Sequence, residues 1–148
     1  MESIVGTELI KGEAAKPTAE LLAAPQFIGI YFGAHWAPPC RRFTTTLKTI
    51  YEEINKDGVR FEVVFCSSDG DDKAFKRNFA EMPWAAVDYA DEVRKATLSQ
   101  KFGIMAVPTL IILDKDAHII SYDGRQDLQQ HQAGVLEAWE KNKAAMQV

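Results

Sequence analysis

Sulfur and imidazole are scarce in this chain: 148 residues hold two cysteines, four methionines and three histidines. Two cysteines cannot build a disulfide framework. Cys40 and Cys66 stand at a spacing that fits no zinc pattern, and no third or fourth ligand is evident. No apolar run approaches the roughly 20 residues that a membrane helix needs. An excess of basic charge is missing too. Lys and Arg number 17 against 21 Asp and Glu, so the net charge is −4 and the pI about 5.4. Neither nucleic acid nor an anionic membrane is offered an electrostatic footprint. The N-terminal MESIVGTELIKGE lacks the cationic start and apolar stretch of a secretory signal. Repeats and low-complexity segments are absent. These absences point to a cytoplasmic location in a reducing cytosol, with no metal, no cofactor, no nucleic-acid partner and no membrane.

What is present suits one globular domain. The chain is 47% hydrophobic and 26% charged, and at this length about 68–70% of the unfolded surface can be buried. We expect a single domain over residues 1–148, with 1–24 as an N-terminal extension packing on it. There, IVGTELIK reads as a short strand, EAAKP as a turn, and TAELLAA as one or two helical turns capped by Thr18. FIGIYF (27–32) is an apolar run typical of a buried strand. Beyond the Pro pair, Phe43, Leu47, Ile50, Tyr51 and Ile54 recur at helical spacing, and NKDG ends that helix. VRFEVVFC (59–66) reads as a central strand. SSDGDD then starts a helix running to about Glu81, and Pro83 marks a loop before a short extended piece.

A third helix spans Asp91 to Phe102 with Val93, Leu98 and Phe102 inward. VPTLIIL (107–113) and HIISYDG form a hairpin across DKDA, with His118 at its surface. The last helix runs from about Asp127 to Lys143, marked by Leu128, Val135, Leu136 and Trp139, and weakened at Gly134 by about 1 kcal/mol relative to Ala. Strands alternating with helices, then a hairpin and a final helix, give an α/β fold: a central mixed β-sheet flanked by helices on both faces. Such a layout puts HWAPPC at the C-terminal edge of the sheet, where α/β proteins place their sites.

HWAPPC (35–40) has the surroundings of a dithiol redox site. The first sulfur of such a site stands at a helix N-terminus, where the dipole and free backbone N–H groups favour the thiolate. The second lies one turn in, shielded, and resolves the mixed disulfide. Pro38 and Pro39 suit the first helical positions, and Trp36 would wall the site. At the place of the first sulfur stands Ala37.

WAPPC, FEVVFCSSD, FAEMPWAAV, FGIMAVPTLIILD and GR, in that order, resemble the tryparedoxin/nucleoredoxin branch of the thioredoxin superfamily. That branch carries W-C-P-P-C and a downstream M-P-W. Tyr31 resembles the same branch, whereas ordinary thioredoxins have a buried Asp there. The resemblance spans about residues 25–126 and implies a thioredoxin-like fold. It also implies dithiol–disulfide exchange, with protein disulfides, peroxidases among them, as acceptors and a dithiol such as trypanothione as donor. It assigns Ala37 to the attacking-Cys position and Cys40 to the resolving one. Trp36, Pro38 and Pro39 shape the loop. Pro108 matches a cis-proline facing the motif, and the Val107 backbone would pair with an extended substrate. Trp84 would pack under the loop. With Ala37 in place, the chain is expected to be redox-inactive. The alternatives are a binding module for extended peptides and a monothiol activity of Cys40.

Several residues admit a plainer reading. Cys40 is either a reactive lone thiol or a shielded small side chain, and shielding is the expectation for docking of large substrates. Cys66, ending VVFC, reads as buried. His35 either tunes a thiolate or is a solvated loop residue. The acids of DGDD offset a helix dipole and lack the spacing of a calcium loop. Arg41 and Arg42 sit badly with the dipole of their own helix; they are either solvated or attract an acidic partner.

Overall fold

The computed structural model describes residues 1–146. Two strands form its centre, β3 (Phe27–Gly33) and β4 (Phe61–Ser67), and both are buried at every position. Largely apolar runs of this kind, broken in β4 only by the buried Glu62 and Ser67, suit strands covered on two faces. The pair is parallel, in register from Phe27↔Phe61 to Gly33↔Ser67. A parallel pair needs a crossover, and α3 (Pro38–Ile54) supplies it. On the other side of β3 lies β6 (Thr109–Asp114), antiparallel, which continues through a tight turn into β7 (Ile119–Ser121). Beyond β4 come β5 (Ala85–Ala86), β1 (Glu8–Lys11) and the edge strand β2 (Ala14–Pro17). The seven-stranded mixed sheet has the order β2-β1-β5-β4-β3-β6-β7.

Alternation along β3 and β4 divides the core in two. Phe27, Tyr31, Phe61 and Phe65 point to one face. There they meet α3, α4 (Asp72–Phe79), α6 (Gly124–His131) and α7 (Val135–Met146) through Phe43, Leu47, Phe79, Leu128 and Trp139. Ile28, Ile30, Phe32, Val64 and Cys66 point to the other face. They meet α1 (Glu2–Val5), α5 (Glu92–Lys101) and Leu22, just past the short α2 (Thr18–Leu21). Helices therefore cover both faces, as the α/β pattern predicts. Among the described residues no helix is long and apolar enough to cross a membrane.

The structure corrects several local expectations. EAAKP is not a turn: Ala14–Pro17 is β2, and the reversal falls earlier, at Gly12 with φ +63°. Pro17 ends an edge strand, where its missing N–H costs nothing. IVGTELIK is strand only from Glu8, because α1 takes its first residues. Thr18 does not cap α2, whose cap position is Pro17; its hydroxyl donates to the Gly6 carbonyl at 2.6 Å. Val93 is 77% exposed rather than inward. Lys95 takes the buried place, with Nζ 3.5 Å from the centre of the Tyr89 ring. The last helix is broken. A 3₁₀ turn at Gln132–Gly134 separates α6 from α7, and Gln132 has φ +51°.

Candidate active site

β3 ends at Gly33, and after four intervening residues the chain is helical. Ala37 is the N-cap of α3 (φ −93°, ψ 113°), followed by Pro38 and Pro39 in the first turn and then Cys40. A side chain at an N-cap accepts hydrogen bonds from the N–H of the second or third helical residue. The second is Pro39, which has none, so Cys40 N–H is the one such donor for a group at position 37. That N–H already donates to the Ala37 carbonyl at 2.9 Å. This corrects the expectation of several free N–H groups at this helix start. Ala37 and Cys40 are buried, whereas Trp36 is 65% exposed. Burial pushes the Cys40 thiol up, partly offset by the Ala34 backbone and the Arg125 guanidinium. Cys40 is thus shielded, as expected.

The floor of the site is aromatic. Tyr31 packs edge-on against Phe43 and Trp84, and its hydroxyl donates to the Cys40 carbonyl at 3.1 Å. The same hydroxyl lies 2.7 Å from Thr44 Oγ1. Burial holds its ionisation far above the usual phenol range, so it stays a neutral donor at pH 7. Gly33 makes room for this ring: a Cβ there would stand 2.8 Å from it. Trp84 lies beneath, fully buried against Tyr31 and Tyr51.

β6 brings the third component. Phe32 pairs with Thr109, so the Val107–Pro108 step, a cis peptide bond, lies beside Gly33 and Ala34 at the root of the loop. Trp36, Ala37, Pro38, Pro39, Cys40, Val107 and Pro108 are therefore gathered at one sheet edge. Met105, 96% exposed, precedes this step. Cys66 is elsewhere. It faces the opposite layer of the core beside Phe32, with burial pushing its thiol up to about 12. Both cysteines are free, and the sheet stands between Cys66 and the α3 layer.

Sequence reading noted three further residues without giving them a role at the site. Arg125, the Arg of "GR", sets its guanidinium 5.9 Å from the Phe43 ring and joins Pro39 and Arg42 in lining a surface groove. Gly124 lets α6 approach, since a Cβ there would stand 2.9 Å from the Leu110 carbonyl oxygen. Asp69 accepts the His35 N–H at 2.7 Å. Of the remaining acids in that run, Asp71 caps α4 by accepting the Ala74 N–H at 2.7 Å. Arg41 Nη1 donates to the His35 carbonyl at 2.6 Å.

Among the described residues one group has metal-ligand spacing: Asp114, Asp116 and His118 in the β6–β7 turn. Asp114 is spent on that turn. Its Oδ1 accepts the N–H groups of Asp116 and His118, both at 2.9 Å, and its Oδ2 meets His118 Nδ1 at 3.1 Å and Lys143 Nζ at 3.6 Å.

The thioredoxin-like family model matches residues 25–119. Nucleoredoxin of Danio rerio is 39% identical over 129 residues, covering 76% of this chain and 31% of its own length. Nucleoredoxin of Homo sapiens is 40% identical over 128 residues, covering 80% and 29%. The chain thus spans about a third of the length of these curated relatives. The crystal structure of native tryparedoxin I from Crithidia fasciculata has 34% sequence identity, a TM-score of 0.78 and coverage of 86% of this chain and 88% of that one. The sheet order, the strand-to-helix loop and these likenesses agree: the chain belongs to the thioredoxin-like family, on its tryparedoxin/nucleoredoxin branch.

Proposed function

We propose that this fold serves thiol–disulfide exchange with protein disulfides, and that the chain with Ala37 is its redox-inactive form. The observation that carries the reading is the placement of residue 37 at the N-cap of α3, with Cys40 shielded in the same turn. In the full cycle a thiolate at position 37 attacks a substrate disulfide. The substrate S–S bond breaks, a mixed disulfide forms, and the departing sulfur takes a proton. The Cys40 sulfur, deprotonated, then attacks the sulfur at position 37 and releases the second substrate thiol. A dithiol donor returns the resulting disulfide to two thiols and is itself oxidised to a disulfide. A methyl group can enter none of these steps.

The acceptors on this reading are protein disulfides, those of peroxiredoxin-type peroxidases among them. The donor is a protein or low-molecular-weight dithiol, trypanothione if the role is that of a tryparedoxin. A reducing cytosol is the compartment that matches this reaction on our reading.

A second reading is supported by exposure. Trp36 and Met105 lie largely open near the Val107–Pro108 step, which suits a module that holds extended peptides without electron transfer. Trapping separates the two. Ala37→Cys combined with Cys40→Ser should capture a disulfide-bearing protein as a mixed disulfide that dithiothreitol releases, and the chain as written should capture none. Equal retention of reduced and oxidised proteins by the chain as written, with no trapping by the double variant, would favour the binding module.

A further inference from the structure

The loop that carries the motif has few internal bonds of its own. Ala37 N–H reaches Ala34 O at a long 3.4 Å. Support comes from Arg41, whose Nη1 donates to the His35 carbonyl at 2.6 Å, and from the segment after β4. Ser68 N–H donates to the Gly33 carbonyl at 2.9 Å, Trp36 Nε1 donates to the Ser68 carbonyl at 3.3 Å, and His35 N–H donates to Asp69 Oδ1 at 2.7 Å. Of the three bonds to that segment the last is the shortest, and its acceptor is a carboxylate, which makes it the strongest of them in kind.

Asp69 is itself fixed from three directions. Its Oδ2 accepts from the Ser67 hydroxyl at 2.6 Å and from Asn78 Nδ2 at 3.3 Å. Its own N–H donates to Ser67 Oγ at 2.9 Å. Its carbonyl accepts from the Tyr89 hydroxyl at 2.6 Å. Tyr89 in turn lies under the Lys95 ammonium. The residue is only 6% exposed, so water competes little for these bonds. A buried carboxylate carries a cost unless its lone pairs are occupied, and here they are occupied by groups from β4, α4 and the redox loop.

We infer that Asp69 is a positioning residue for the redox motif: its carboxylate, oriented by Ser67 and Asn78 and anchored through its carbonyl by Tyr89, holds His35 and thereby sets where residue 37 stands over Cys40. The inference deepens the proposed exchange reaction and rests on it for its kinetic consequence. The same carboxylate has an opposing electrostatic effect, since its negative charge disfavours a thiolate at Cys40. Charge and hydrogen bond are separable. Asp69→Asn keeps an oxygen for His35 and removes the charge; Asp69→Ala removes both.

Two measurements test this. In the chain as written, amide hydrogen exchange at His35 should accelerate at least 10-fold in Asp69→Ala, stay within about threefold in Asp69→Asn, and be intermediate in Tyr89→Phe, the milder variant should Asp69→Ala fold poorly. In the Ala37→Cys background, disulfide reduction should fall at least 10-fold for Asp69→Ala, through kcat rather than KM, and be rescued in Asp69→Asn. Asp71→Ala is the control: it removes the α4 cap and touches neither His35 nor Trp36, so it should leave both readouts unchanged. His35 exchange insensitive to Asp69→Ala and Tyr89→Phe, or an equal loss of turnover in Asp71→Ala, overturns the inference. Absence of turnover in Ala37→Cys itself refutes the exchange reaction and leaves the His35 measurement to decide the positioning.

Discussion

Ala37→Cys should convert the chain into a disulfide reductase, and the local geometry sets how reactive the new thiol is. An ordinary cysteine has a pKa near 8.5, so about 3% is thiolate at pH 7. Lowering that value to about 7 would raise the thiolate fraction roughly 16-fold, while the weaker nucleophilicity of a less basic sulfur returns about fivefold. The net gain of tuning is about threefold, small beside the gain from having a sulfur at all. Here even that tuning has limited means. Pro38 and Pro39 contribute no N–H, and Cys40 N–H is shared with the Ala37 carbonyl. The assay is insulin reduction driven by dithiothreitol. Ala37→Cys should exceed the chain as written by at least 100-fold over the uncatalysed rate, and adding Cys40→Ser should remove most of that gain. Equal rates with and without the sulfur at position 37 would refute the mechanism.

Three further outcomes follow from burial and charge. Native alkylation of Cys40 with iodoacetamide at pH 7 should run at least 100-fold slower than that of a free thiol, because burial both hides the sulfur and pushes its ionisation up; fast, complete labelling would show an open thiol. Gly124→Ala should destabilise by about 1–3 kcal/mol through overpacking, since its Cβ would lie 2.8 Å from Ile112 Cδ1 and 2.9 Å from the Leu110 carbonyl oxygen; an unchanged melting temperature would show that α6 yields freely. For Asp114, burial pushes the carboxyl up, but hydrogen bonds from the His118 N–H, the His118 ring and the Asp116 N–H outweigh it, and the net shift is downward. A carboxyl lowered on folding contributes stability above its unfolded pKa and loses that contribution as pH falls through the folded value. Denaturant titrations from pH 6 to pH 2 should therefore show a smaller loss of stability in Asp114→Asn than in the parent chain.

Much of this architecture is legible in the chain because it follows periodicity. The runs 27–32 and 61–66 are apolar enough to be central strands, and Phe43, Leu47, Ile50 and Ile54 mark one helical face; those elements stand where expected. The misreadings share a cause: local signals overruled by distant partners. Ala14–Pro17 becomes a strand because β1 pairs with it, which composition does not encode. Lys95 rather than Val93 turns inward because the Tyr89 ring offers its ammonium a place. The last helix breaks at Gln132, and no proline signals it. Of the site, Trp36 to Cys40 are visible as a contiguous motif. Asp69 is not, because 34 residues separate it from His35, and an acid before a helix reads as an offset to the helix dipole. Asp71 caps α4 and Asp72 stands in its first turn, so the reading is right for two members of the run and blind to the third.

The charge around α3 gives a last argument about what this surface is for. The first turn of α3 holds no acidic residue, and Arg41 and Arg42 follow the prolines and Cys40. Cations near a helix N-terminus oppose its dipole and cost a few tenths of a kcal/mol or more. Arg41 recovers part of that by bonding the His35 carbonyl, and both Arg41 and Arg125 ease ionisation at Cys40. Positive charge set against a positive helix end makes physical sense where an anion is formed during the reaction, because each then favours that anion. Ala37 forms none, so in this chain the arrangement bears its electrostatic cost with nothing to stabilise at position 37. Ala37→Cys should accordingly lose part of its restored rate when Arg41 is replaced by Met, and that loss should shrink as salt is raised. A salt-independent loss would assign Arg41 to holding the His35 carbonyl alone.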